Sequence, residues 1–219
     1  MFALRKAATL VAVFVLGLSG IGTANAAGTQ YFLEHSNETG AFADGVPYLK
    51  VSISDGAAGA IDFLVETLSP LSSIADSNYG IQSFSFNFGS TGATASNIVL
   101  PSGWSIQGGS PSQSIFGKFD VTLTGTGSSR LDPLAFSIIG VAGDTPAGYA
   151  SELSTQGKSS LFAAHVAGFE IEYDNGEFAR QITSAKFGGS SVVPLPASAW
   201  LMLSGLGYLV AWGKRRRRG

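Results

Sequence analysis

Across the middle of the chain, apolar side chains recur at every second position in short runs separated by glycine, proline and Asp-Gly punctuation. In Gln82-Ser83-Phe84-Ser85-Phe86-Asn87-Phe88 three phenylalanines alternate with small polar residues, so an extended strand would place all three rings on one face. Phe119, Val121 and Leu123 alternate with polar partners in the same way. So do Ile61, Phe63 and Val65, with Val51 and Ile53 upstream and Leu134, Phe136 and Ile138 downstream. Phe169, Ile171 and Tyr173 form a further set. Asn175-Gly176 follows, whose tolerance of positive φ predicts a tight two-residue hairpin turn into Phe178 to Ile182. Helical periodicity is scarce: Gly148 to Lys158 is expected to form one short helix, and Leu161 to Ala167 is open between a helical turn and a strand. Eight or so strands point to an all-β, antiparallel β-sandwich, with a jelly-roll-like arrangement as the preferred topology.

Two apolar runs do not alternate, and they flank this region. Arg5 and Lys6 precede the run Ala7 to Leu18, and Ala24-Asn25-Ala26 supplies small residues ahead of Ala27, so residues 1–26 read as a signal peptide cut after Ala26. The run is shorter than the ~20 residues needed to span a bilayer, which favours cleavage over a retained anchor. At the other end Leu195 to Trp212 is an uncharged stretch of membrane-spanning length, with Trp200 and Trp212 placed for the two headgroup levels. Lys214, Arg215, Arg216, Arg217 and Arg218 then act as stop and orientation signal, remaining in the cytoplasm and leaving the middle of the chain outside. A cleaved N-terminal signal helix and one C-terminal transmembrane helix are therefore expected to frame an exported domain over residues 27–189, with a linker over 190–193 and a terminal segment over 194–219.

That terminal segment has three parts in a fixed order: Val193-Pro194-Leu195-Pro196, the span 195–212, and the basic run 214–218. It resembles the PEP-CTERM sorting domain of Gram-negative bacteria, with Leu195 where the namesake motif carries glutamate, a Val-Pro-Leu-Pro variant. The resemblance implies recognition by an exosortase near the proline motif, transient residence in the inner membrane, release to the cell surface or extracellular matrix, and an association with exopolysaccharide or biofilm. Independently of the resemblance, Pro194 and Pro196 disfavour helix and bias the residues before them towards extended backbone, so the motif is a stiff connector at the outer membrane surface. A permanent single-span anchor would use the same residues.

Charge sharpens the division. The chain carries 13 Lys and Arg against 15 Asp and Glu, a formal net charge of −2. The ends hold seven of the cations and none of the anions, which leaves residues 27–193 with six cations, fifteen anions and a net charge of −9. An acidic interior excludes nucleic acid as a partner, since a phosphate backbone needs a basic face to release its counterions. It also disfavours direct docking on acidic polymers without a cation bridge, and so favours neutral or calcium-bridged glycans. With no cysteine in the chain, thiol nucleophiles, thiolate metal sites and disulfides are ruled out, and the domain must rely on its core or on bound ions.

Candidate chemistry is sparse. His35 and His165 are the only imidazoles, with no second histidine at ligand spacing; His165 reads as a core or edge histidine, with general-base catalysis beside a serine as the sharper reading. No catalytic constellation is identifiable, and the chain is read as non-enzymatic. Glu170 and Glu172 lie on the outward face of their strand. Asp174 and Glu177 bracket the Asn175-Gly176 turn as direct cross-strand neighbours, where Ca²⁺ would relieve their repulsion. Trp104, the only tryptophan outside the terminal span, is either core or a stacking platform for a sugar, together with Tyr79 or Tyr149. The expectation is an exported structural or adhesive matrix protein with signal peptidase, exosortase and exopolysaccharide as partners. The alternative is a secreted carbohydrate-active hydrolase on a jelly-roll scaffold, which would show a cleft with two facing carboxylates or His165 beside an acid.

Overall fold

The structure is a computed structural model and describes residues 28–174, 176 and 179–193. The expected signal peptide and the sorting segment 194–219 lie outside the described residues. Among the described residues twelve strands form two six-stranded antiparallel sheets. The first has the order β12 (Ser191–Val193), β1 (Thr29–Leu33), β3 (Leu49–Asp55), β4 (Ile61–Thr67), β9 (Leu134–Ile138), β6 (Ile98–Val99). The second runs β2 (His35–Ser36), β11 (Ala179–Gly189), β10 (Phe162–Asp174), β5 (Ala75–Phe86), β8 (Val121–Gly125), β7 (Trp104–Gln107). Among the described residues no helix is long and apolar enough to cross a membrane, and the helical elements are short 3₁₀ turns.

The sheets face each other across one core, as a β-sandwich does. Tyr31, Leu33, Val51, Ile53, Phe63, Val65 and Phe136 project from the first sheet against Ile81, Phe84, Phe86, Val121, Leu123, Phe162, Val166 and Phe187 of the second, all buried. Rings meet across the interface at Phe63–Phe86 (5.3 Å between centroids), Phe84–Phe136 (5.9 Å) and Tyr31–Phe162 (5.2 Å). Each such side chain stabilises the fold by about 1.5–3 kcal/mol through burial alone, which explains how a cysteine-free domain holds together. The inward positions of β3, β4 and β9 are those the alternation predicts.

Three local expectations are corrected and one open segment is decided. Gly148 to Lys158 forms no helix: a 3₁₀ turn covers Pro146–Ala150, and Thr155 instead exchanges backbone hydrogen bonds with Lys118 at 2.7 and 3.1 Å. The open segment Leu161 to Ala167 resolves as strand, from Phe162 onward in β10. The hairpin is at the expected place but not as a two-residue turn, because Asp174 pairs with Ala179; Glu177, the other expected calcium candidate, lies outside the described residues. Within that loop Gly176 has φ +85° and its N–H donates to Asp174 Oδ1 at 2.7 Å, a local turn. Finally, Ser191–Val193 is no slack linker. It pairs with β1 in the register Gln30↔Val193 to Phe32↔Ser191. Beside it β2 pairs with β11, so the segments β1–β2 and β11–β12 cross from one sheet to the other as a paired ribbon.

Candidate functional site

The two sheets treat their outer faces differently. In the first sheet β3 and β4 pair without interruption from Leu49↔Thr67 to Asp55↔Ile61, and the outward side chains Lys50, Ser52, Leu64 and Ser137 stand half-buried in a regular lattice. The second sheet is covered over one half. The segment 111–119 folds across it, with Phe119 N–H donating to Pro111 O at 3.2 Å and Lys158 N–H to Ile115 O at 2.6 Å. Under this cover Phe116, Phe119 and Ala163 form a small second core. The strands are lined there with small residues because the cover needs the room. A Cβ on Gly188 would lie 2.4 Å from the Phe116 ring, and Ser85 and Thr122 share a buried hydroxyl contact of 2.6 Å.

Beyond the cover the second sheet loses register in three adjacent strands. Between β5 and β10 the pairing steps from Ser83↔His165 to Ile81↔Val166, leaving Gln82 as the extra residue of a bulge. Ile81 and Phe84 are both in the core, so Gln82 and Ser83 are both carried by the outer face. A second irregularity surrounds Gly168, between Ala167↔Ser184 and Ile171↔Ile182 on one side and Ala167↔Gly80 and Phe169↔Ala75 on the other. Gly168 has φ +87°, and a Cβ there would meet Asn78 O at 2.5 Å and Tyr79 Cα at 2.6 Å; both conditions require glycine.

The coincident bulges open a depression of about 340 Å³ lined by Asp76, Gln82, Arg130, His165, Glu170 and Ser184, among others. Arg130 reaches it because Leu131 makes a two-way backbone bridge to Ile81, at 2.9 and 3.2 Å. Its guanidinium donates from Nε to Gln82 Oε1 at 3.1 Å and from Nη1 to Asn78 O at 3.0 Å. His165 lies across from Ser83 on one side and Lys186 on the other. Burial, with Lys186 and Arg130 nearby, pushes the imidazole down to about 4, so it is neutral at ordinary pH. Burial also lowers the Lys186 ammonium. Glu170 accepts from Gln181 Nε2.

Two larger depressions carry less chemistry. One of about 580 Å³ on the first sheet is floored by Ser52, Leu64, Ala135 and Ser137, with Asp62 already accepting from Ser137 Oγ at 2.6 Å. The other, about 470 Å³, lies among loops around Gly56–Ile61 and Gly140–Asp144, where Asp144 accepts from Tyr149 Oη at 2.7 Å.

The remaining sequence candidates fall elsewhere. Trp104 is 9% exposed and belongs to the core, its indole N–H donating to Ser129 O at 2.8 Å; it offers no open ring face to a sugar, and Tyr149 is likewise buried. His35 Nδ1 lies 3.1 Å from Asp44 Oδ1, on the opposite side of β11 from His165. No group of three or more His, Asp or Glu able to hold a metal ion occurs among the described residues. Sequence reasoning singled out His165 and Glu170 but missed Asp76, Gln82 and Arg130. The available signal was Gly80 and Gly168 inside strands, since interior strand glycines mark bulges.

The geometry defines an antiparallel β-sandwich with one regular outer face and one covered, bulged and polar face. No protein-family model, curated protein or solved structure is matched by the chain.

Proposed function

We propose that the chain is an exported cell-surface or matrix protein, sorted through its C-terminal segment by an exosortase, whose sandwich domain has a structural or adhesive role. The observation that carries this reading is the order of the tail: Val193-Pro194-Leu195-Pro196, an uncharged span, and the Lys214 to Arg218 cluster. The domain boundaries support it. The first strand begins at Thr29, three residues after Ala26, and the last ends at Val193, next to Pro194. A signal peptide ending at Ala26 and a sorting segment starting at Pro194 would leave the sandwich almost no spacer at either end, and Gln30 pairs directly with Val193, so the first and last described strands lie side by side. The paired crossing of β1–β2 with β11–β12 favours a jelly-roll-like description of the scaffold.

The mass of the mature C-terminus, compared between cells with and without the processing enzyme, tests the sorting reading. Loss of the basic tail only when the enzyme is present is expected; surface protein that retains Arg218 would overturn it in favour of a permanent anchor.

One observation favours the hydrolase reading: the bulged pocket gathers His165 with the carboxylates of Asp76 and Glu170. Against it, both carboxylates are exposed, whereas glycoside hydrolysis needs one carboxyl desolvated enough to hold a proton. Product release from a polysaccharide panel separates an enzyme from a binding module.

A further inference from the structure

Six cations lie in the acidic interior, and three are neutralised: Lys50 by Glu66 at 2.8 Å, Lys158 by Asp44 at 2.9 Å, and Arg180 by Glu38. Arg130 and Lys186 have no ion-pair partner among the described residues, yet both stand beside His165 on the bulged face. Two unneutralised cations around an imidazole too desolvated to share the charge make a local positive centre in a domain of net charge −9. The arrangement is built rather than incidental, because the Leu131 bridge, the Gln82 bulge and the Asn78 carbonyl together fix the guanidinium.

Asp76 and Glu170 line the same pocket and, as carboxylates, accept but do not donate hydrogen bonds. A bare inorganic anion would satisfy the cations and meet repulsion from the acids. A neutral sugar would satisfy the acids and leave the cations bare. We propose that the pocket binds one acidic sugar unit, a uronate, whose carboxylate is taken by Arg130 inside the pocket and by Lys186, the cross-strand partner of His165 at its margin, and whose hydroxyls donate to Asp76 and Glu170. The volume of about 340 Å³ is at the small end for ligand sites and suits a single ring. Phe169 borders the pocket but is 2% exposed, so recognition proceeds by charge and hydrogen bonding rather than by stacking. The ligand class differs from the neutral or calcium-bridged glycan that net charge alone suggests, because the positive centre is local. The inference deepens the adhesive reading and rests on it for where the ligand is met, while the binding test is blind to sorting, so either can fail alone.

Calorimetric titration of the detergent-solubilised full chain with glucuronate, glucose, acetate and inorganic sulfate tests the proposal. Glucuronate should bind at least about tenfold more tightly than the other three, since each of those lacks one half of the match. Arg130→Gln and Lys186→Gln should each weaken glucuronate by about tenfold or more, with Lys50→Gln on the first sheet as the unchanged control. Lys186→Gln keeps the proposal testable if removing the two guanidinium hydrogen bonds perturbs folding. Glucose binding as well as glucuronate, sulfate binding as well as glucuronate, no heat at millimolar glucuronate, or insensitivity to both pocket variants would each overturn it.

Discussion

The outer faces of the two sheets begin from similar sequences and end differently. On the first sheet the β3–β4–β9 ladder keeps its register, every second side chain is inward, and the outward ones form a plain half-buried lattice. On the second, β5, β10 and β11 each contain an interruption, half the face is roofed by the segment 111–119, and the uncovered half gathers Arg130, His165, Lys186 and two carboxylates. Regular pairing makes a wall. Broken pairing re-aims side chains and concentrates chemistry, as bulges beside binding sites do.

The largest expected effect separates the two faces by stability. Phe116→Ala removes the main side chain under the roof and should cost about 3 kcal/mol or more, read as a lower denaturation midpoint. Leu64→Ala, half-buried on the open face, should cost no more than about 1 kcal/mol. Equal costs would erase the distinction. Next, Gly168→Ala forces a side chain into positive φ and against Asn78 O, with an expected loss of about 2 kcal/mol or more. Gly45→Ala also has positive φ but meets nothing within 4 Å, so it isolates the conformational cost and should lose less.

A pH series sharpens the comparison further. His165 titrates near 4 in the folded protein against 6.5 for an ordinary imidazole, so between those values the unfolded chain binds a proton that the folded one does not. Stability should therefore fall as pH drops through 6.5 towards 4. The His165 share is on the order of 2 kcal/mol after allowance for solvent screening. The cause is burial first, then Lys186 on β11 and Arg130 before β9; the carboxylates of Asp76 on β5 and Glu170 on β10 line the same pocket. His165→Gln should flatten that part of the profile; an unchanged slope would mean that the imidazole is not held neutral. The smallest effect belongs to the regular face. Glu66→Gln breaks the partly exposed pair with Lys50 and should change stability by less than about 1 kcal/mol, measured by urea denaturation.

Legibility in the sequence followed the same division. Leu134–Ile138 and Ile61–Thr67 were readable to within a residue because a strand half-buried in a regular ladder writes strict alternation. Thr29–Leu33 was missed, since Phe32 stands on the outward side and spoils the alternation of Tyr31 and Leu33. Phe88 continues the pattern of Phe84 and Phe86 yet lies beyond the strand, touching Phe86 edge-on at 5.6 Å. The Asn175-Gly176 turn was located but not its register, which depends on pairing further down β10. The pocket was least legible. Arg130 is brought to His165 by a bridge across 50 residues of sequence, between Leu131 and Ile81, and no local pattern encodes such a contact.

On this proposal the bulged face, and not the regular one, meets a ligand. Amide and side-chain NMR of the protein titrated with glucuronate tests it most directly. Shifts are expected at the ligand contacts Asp76, Arg130, Glu170 and Lys186 and at their neighbours Gln82, His165, Gly168 and Ser184, with the His165 imidazole titrating at higher pH once a carboxylate offsets Arg130 and Lys186. Shifts at Ser52, Leu64 and Ser137 on the first sheet, or none on either face, would contradict it.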